Sequence, residues 1–321
     1  MLLKRFLVLA LVLINLPEGW TWGFYGHTQI NRLAVFCLPP PLFGFYKNHL
    51  DYVGQHAVDA DKRRYAIADE ACRHYLDCDR YEHVAPLDTL PMWWNEAVSA
   101  YGEDTLKAHG IVPWHCHLML YRLTDAFKEK DIAKILKLSA DLGHYIADAH
   151  VPLHACGNYN GQRTNQHGIH GLWESRIPEL FLHDYDLLTG TALYLDKPMH
   201  SIWMAMEQSY AASDTVLEQE QALTALFPGD AKYTFEPRGS QLVKVYAPAF
   251  CQAYDASMNG MVERRFRQSI QLVAAFWLTA WINAGQPDLP QIASDITISE
   301  EELLEEEKFR KGLILGRPEE H

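Results

Sequence analysis

Residues 118–150 read LMLYRLTDAFKEKDIAKILKLSADLGHYIADAH. Apolar side chains recur through them at intervals of three and four, the period of a helix with one buried face. The polar run at 125–131 interrupts that period. The stretch therefore predicts two helices folded back as a hairpin against a core.

Immediately downstream, HYIADAHVPLHACGNYNGQRTNQHGIHGLWE (144–174) holds five of the sixteen histidines. His144 and Asp148 stand four apart, as do His150 and His154, and His170 and Glu174. On a helix such residues share a face with Cβ atoms roughly 5–6 Å apart, so each pair can hold one ion without backbone distortion. A single His-x3-Asp pair is more often a surface hydrogen bond. Three pairs crowded around a Pro-Leu-His turn favour a metal, and imidazole and carboxylate are ligands that zinc accepts. Pro152 lacks an N–H and crowds the carbonyl of residue 148. It predicts a bend just after Asp148 that aims His154 at a different ion from His144.

Helical periodicity returns at 201–227 and at 261–284, the latter with Gly285 as cap and Pro287 as stop. Residues 157–168 have loop chemistry, strand-like alternation is nearly absent, and there is no internal repeat. The fold class expected is all-α, with a single mostly helical domain over 22–290. His115, His117 and the cluster around Trp93 and Trp94 read as structural. Beyond 290, EEELLEEEKFRK predicts a charged helix or disordered end with a solvating role.

Residues 1–21 have the pattern of a secretory signal. Lys4 and Arg5 precede the mostly apolar FLVLALVLINL, and Gly19 and Thr21 are the small residues at −3 and −1 of a cut before Trp22. The eleven-residue core is too short to span a bilayer as a helix. The expectation is a soluble mature chain, secreted or periplasmic. Cleavage there would free the Trp22 α-amine, which with its carbonyl is a possible metal ligand, and His27 lies five residues on. It would also remove Lys4, Arg5 and Glu18, leaving 26 basic against 40 acidic side chains, a charge of −14. That balance argues against tight binding to duplex nucleic acid. The six cysteines form no CxxC pair, so a cysteine zinc site is not expected. An oxidising compartment permits disulfides, with Cys72 and Cys78 near enough in sequence to bridge.

Two earlier stretches, HAVDADKRRYA (56–66) and DEACRHYLDCDRY (69–81), place Asp61 three residues before Arg64 and His74 three before Asp77. Each pair is expected on one helical face. Taken alone, DADKRR reads as a solvated helix surface.

The mature N-terminus WGFYGH, the residues Asp61 and His74, the HxxxDxxxxxH run at 144–154 and the HxxWE run at 170–174 occur in that order. Together they resemble the S1/P1 nuclease and zinc-dependent phospholipase C superfamily, closer to its nuclease branch, over residues 22 to about 285. The resemblance implies a helical domain with three zinc ions in a cleft. Asp61, His74, His144 and Asp148 would hold the first, and His154, His170 and Glu174 the second. The third would take the Trp22 amine and carbonyl, His27 and a bridging Asp148. Asp61, Arg64 and Asp77 would form the catalytic set. Arg64 would contact phosphate, Asp77 would orient the attacking water, and Tyr75 would stack on a base. His150 would orient a ligand from outside the coordination shell.

Three zinc ions would return six positive charges at one place, where a phosphate would be recruited. The implied activity is hydrolysis of single-stranded nucleic acid or 3′-nucleotides by a monomer, with no protein partner. Glu174 departs from the nuclease pattern, which has aspartate there, and matches the phospholipase pattern. Phospholipase C activity on phospholipid headgroups is therefore the alternative, and a non-catalytic exported zinc-binding protein a further one.

Overall fold

The computed structural model of the chain describes residues 22–81, 90–227, 229–238, 241–291, 300–312, 314, 315 and 317; the expected signal segment 1–21 lies outside them. The chain opens with α1 (Trp22–Val35), α2 (Pro40–Asn48), α3 (Leu50–Gln55) and the short α4 (Asp59–Arg63). After an irregular stretch come α5 (Trp94–Tyr101), α6 (Glu103–His109), α7 (Val112–Glu129) and α8 (Ile132–Asp148). Two short helices follow, α9 (Ile169–Gly171) and α10 (Ile177–Phe181), joined by a π turn at Leu172–Arg176. Then comes the long α11 (Pro198–Leu226). Strands β1 (Tyr233–Arg238) and β2 (Gln241–Tyr246) lead to α12 (Pro248–Ser257), α13 (Met261–Asn283) and α14 (Glu300–Lys311). The protein is mostly helical, as the periodicity predicted. The antiparallel β1–β2 pair, in register from Tyr233 opposite Tyr246 to Arg238 opposite Gln241, escaped that reading: each strand is only six residues long and mostly half-buried or exposed.

The 118–150 hairpin is α7 and α8, with a connection shorter than the polar run suggested. Lys130 takes the left-handed conformation at φ 55° and ends α7. Asp131 then caps α8, its side chain accepting from the Lys134 backbone N–H at 3.1 Å.

Every residue of α8 from Ser139 to Asp148 is buried, because α1, α3, α7 and α13 surround it. Two devices hold it there. Gly143 lets α1 cross closely: a Cβ on it would sit 2.0 Å from Asn31 Oδ1. The Asn31 amide meanwhile donates to the carbonyls of Val53 and Ala140, each at 3.1 Å. On α13, Trp277 donates its indole N–H to the Ser139 carbonyl at 3.0 Å and stacks on Tyr46 at 4.8 Å. The face carrying His144 and Asp148 therefore points into the protein interior.

Helix α8 stops at Asp148, and Pro152 opens a separate 3-10 turn, Pro152–Ala155. This is the expected bend, and it takes His154 off the α8 axis.

Four expectations need correction. Residues 74–77 are not helical: His74 follows a 3-10 turn and Asp77 precedes another, so that pair shares no helical face. DADKRR is not a solvated surface, since Asp61, Arg63 and Arg64 are buried. All six cysteines are buried free thiols. Those of Cys72 and Cys78 turn instead to the carbonyls of Asp69 and Leu76. Finally, α14 does not merely solvate the chain. It packs along α4, with Phe309 edge-on to Tyr65 at 5.1 Å and Lys62 and Lys137 paired to Glu306 and Glu302. Of the two tryptophans read as structural, Trp94 packs on Trp114 at 5.6 Å, whereas Trp93 is half exposed.

Candidate metal centre

Eight side chains from seven parts of the chain converge beside α8. His27 comes from α1 and Asp61 from α4. His74 comes from the irregular stretch, His144 and Asp148 from α8, and His154 from the 3-10 turn. His170 and Glu174 come from α9 and the π turn. All are buried. Their ligand atoms form four overlapping groups in which every atom lies within 4.8 Å of the others: His27–Asp61–His144, His74–His144–Asp148, His154–His170–Glu174 and His27–Asp148–Glu174. Trp22 opens α1, the helix that brings His27 into the cluster.

The donor chemistry fits a cation. Two ligands on a tetrahedral zinc at 2.0–2.1 Å lie about 3.3–3.4 Å apart. Here His144 Nε2 is 3.0 Å from His74 Nδ1 and 3.5 Å from Asp61 Oδ1, and His154 Nε2 is 3.2 Å from His170 Nε2. The outer ring nitrogens are engaged with backbone carbonyls: His144 Nδ1 with Ala57 at 2.8 Å, His154 Nδ1 with His74 at 2.7 Å, and His170 Nδ1 with Tyr159 at 3.3 Å. Donation there leaves each Nε2 as a lone pair aimed inward, the tautomer a metal requires.

The two carboxylates on the α8 side and the π turn each face two groups. Asp148 Oδ2 is 2.9 Å from His74 Nδ1 and 3.2 Å from His144 Nε2, while its Oδ1 is 3.4 Å from His27 Nε2. Glu174 Oε2 is 2.6 Å from His170 Nε2, and its Oε1 is 3.0 Å from His27 Nε2. The π turn beneath it is a feature that often marks functional sites. These buried His, Asp and Glu groups can bind metal ions.

Burial would raise the Asp148 carboxyl, but His144 and His154 outweigh it and hold the group well below the usual carboxylate range. Glu174 is likewise lowered: hydrogen bonds from His154, His170 and His27 overcome its desolvation. Against its own desolvation, His144 is raised well above an ordinary imidazole by Asp148 and Asp61. The signs define the behaviour of the metal-free protein. The His144 contribution to stability is complete below the unfolded imidazole value and is lost as pH rises through the raised folded value. The Asp148 and Glu174 contributions are present above the unfolded carboxyl values and lost as pH falls through the lowered ones. A cation must displace the His144 proton. Zinc binding near pH 7 is thus expected to release at least one proton, and affinity should rise with pH. Titration calorimetry in buffers of different ionisation enthalpy checks this, and an absence of proton release would remove His144 from the ligand set.

Behind His74 lies a network that sequence reading missed. Glu70 Oε1 is 3.7 Å from His74 Nε2 and accepts from the Tyr145 hydroxyl. Arg63 joins Glu70 at 3.6 Å, Asp141 at 3.0 Å and Tyr145 at 3.1 Å. Its one sequence signal was the Glu70–His74 spacing of four, the same spacing that singled out the other pairs. His150 takes no part in the cluster. Its Nδ1 faces the Ile146 carbonyl at 2.7 Å, and burial beside Arg265 lowers its imidazole to about 3. His115, lowered to about 3 chiefly by burial, packs edge-on to Tyr145 and is structural as expected.

The residues expected to meet substrate lie beside the cluster. Arg64 Nη1 is 4.0 Å from Asp61 Oδ1. Tyr75 and Asp77 ride on residues 72–77, which backbone hydrogen bonds lay against residues 109–112. Asp77 N–H donates to His109 O at 2.7 Å, Ile111 N–H to Cys72 O at 2.7 Å, and Val112 N–H to Tyr75 O at 3.2 Å. Gly110, at φ 91°, makes this approach possible, since a Cβ there would stand 2.1 Å from the Tyr75 carbonyl oxygen. Two residues absent from the sequence reading complete the surroundings. Arg317 ion-pairs Asp77 at 2.7 Å, and its guanidinium lies over the rings of Tyr75 at 4.0 Å and Tyr159 at 3.5 Å.

Fold and site thus define a mostly helical protein with a buried cluster able to hold metal. No family model matches the chain, and no curated protein matches it. Among the described residues, no helix is long and apolar enough to cross a membrane.

Proposed function

We propose that the protein is an exported zinc-dependent phosphodiesterase of the S1/P1 nuclease type, acting on single-stranded nucleic acid or 3′-nucleotides. The observation that carries this reading is the cluster itself. All eight side-chain ligands implied by the resemblance meet in one buried nest, and the carboxylates of Asp148 and Glu174 each face two of its groups.

Asp61, His74, His144 and Asp148 would hold one zinc, and His154, His170 and Glu174 another. His27, the Trp22 amine and carbonyl, and a shared Asp148 would hold the third. Bound zinc supplies a water acidified to a pKa of about 7 and Lewis-acid stabilisation of phosphoryl oxygens. The protein's own residues do the rest. Arg64 presents a planar fork to phosphate oxygens, which suits bidentate contact. Asp77 accepts a hydrogen bond from the attacking water and orients it. Tyr75 offers a ring on which an unpaired base stacks, a contact worth roughly 1–3 kcal/mol per base that a duplex cannot make without unstacking.

The first test is release of acid-soluble nucleotides from single-stranded DNA by the chain beginning at Trp22, with and without a chelator. Chelator-sensitive release is expected, and none from a zinc-replete sample would sink the nuclease reading. Glu174 favours one second reading, a phospholipase C. It would instead liberate phosphorylated headgroups from phosphatidylcholine vesicles and leave DNA untouched.

A further inference from the structure

We propose that the segment following α14 is an intramolecular competitor that occupies the substrate slot of this site, so that the tail and a nucleic-acid strand exclude one another. The proposal rests on the phosphodiesterase reading for the identity of the excluded ligand, but the occupancy itself rests on geometry.

Every residue assigned to substrate is engaged by the tail. The Leu315 N–H donates to the Arg64 carbonyl at 2.8 Å, and the Arg64 guanidinium in turn donates to the Arg317 carbonyl. Arg317 Nη1 donates to Asp77 Oδ1 at 2.7 Å. Its guanidinium carbon stands 3.5 Å from the Tyr159 ring centre and 4.0 Å from that of Tyr75. Both rings line one slot, which the guanidinium fills through a cation–π contact with each, and a stacking nucleobase would need the same ring faces.

Helix α14 delivers the segment. Phe309 lies between Tyr65, at 5.1 Å, and Phe24, at 6.5 Å. Glu306 pairs with Lys62 at 3.7 Å and Glu302 with Lys137 at 3.0 Å. The acidic helix thereby pairs with two lysines, of which Lys62 is also held by Asp59 at 3.0 Å. Held in the same chain, the tail acts at a high effective concentration. Its docked fraction raises the apparent dissociation constant of any ligand of the slot by the reciprocal of the undocked fraction.

The test uses the full chain with Arg317→Ala and, separately, Leu315→Pro, which removes the N–H given to Arg64. The first readout needs no substrate: nitration of Tyr75 and Tyr159 by tetranitromethane, followed residue by residue with mass spectrometry. Both tyrosines are expected to react about tenfold faster in the variants, as a docked fraction of roughly nine-tenths implies. The second readout is hydrolysis of oligothymidylate by the zinc-replete protein. KM is expected to fall about tenfold with kcat within about twofold, the pattern of a competitor removed.

Unchanged nitration in both variants overturns the proposal whatever the enzyme does. A KM that stays or rises in Arg317→Ala also overturns it, because Arg317 would then assist substrate. If neither wild type nor variants hydrolyse the oligonucleotide, the nuclease reading fails by itself. Faster nitration would still assign the slot to the tail.

Discussion

Replacing Asp148 by asparagine is expected to strip the protein of two of the three proposed zinc ions and to abolish chelator-sensitive hydrolysis. The side chain sits at the junction of two groups, with one oxygen toward His74 and His144 and the other toward His27. Asparagine keeps the shape but loses the charge, and its amide nitrogen offers a donor where a cation needs a lone pair. Substituting a residue that merely supports a ligand costs about 10–100-fold in metal affinity or activity. Loss of a shared ligand should exceed that range. The group made by His154, His170 and Glu174 does not use Asp148 and should still bind. Metal content measured by plasma mass spectrometry is therefore expected to fall from three to one zinc per chain. Three ions and full activity in this variant would remove Asp148 from the centre.

The second large effect lies beneath the site, at Arg63. Its buried guanidinium joins Asp141, Glu70 and Tyr145. Arg63→Met would leave the Asp141 carboxylate buried without its cation, and breaking a buried pair in this way costs about 3–5 kcal/mol. Glu70 is partly protected, because Arg73 also holds it at 2.5 Å. Asp141 is already raised, its burial outweighing the pull of Arg63, and the variant would raise it further. A carboxyl whose folded pKa exceeds its unfolded value destabilises most above that folded value, and the deficit shrinks as pH falls through it. Denaturant melts at pH 5 and pH 7 should thus show the larger loss at pH 7. Adding Asp141→Leu should recover most of the loss, since an apolar pair can replace a buried ion pair at little cost. Failure of that rescue would mean that Arg63 acts mainly through Glu70 and Tyr145.

Glu70, Tyr145 and Arg63 support His74, so this variant also bears on the metal centre. A fall in zinc affinity beyond what partial unfolding explains would mark Glu70 as the group that sets the His74 tautomer. The arrangement resembles the carboxylate–histidine–metal relays in which an outer acid fixes a ligand ring.

Local patterns were legible in the chain itself. The period of 118–150 determined a helical hairpin, and the spacing of four determined that His144 and Asp148, and His170 and Glu174, would face the same way. Both follow from the pitch of a helix, which needs no distant contact. Pro152 determined the break that separates His154 from α8, for the equally local reason that it cannot continue the backbone ladder. Where backbone contacts at a distance override propensity, the local reading failed. Residues 75–77 leave the helical path because the carbonyl of His109 and the amides of Ile111 and Val112 pair with residues 72–77 beside Gly110.

Only the tertiary structure brought the groups into one cluster, because His27, Asp61 and His74 lie far from α8 in sequence and meet it through packing. It alone placed Arg317 against Tyr75 and Tyr159. By composition the acidic stretch 300–311 is a solvated tail. Its docking depends on a surface that α4, Tyr65 and Lys137 form only once they are folded together.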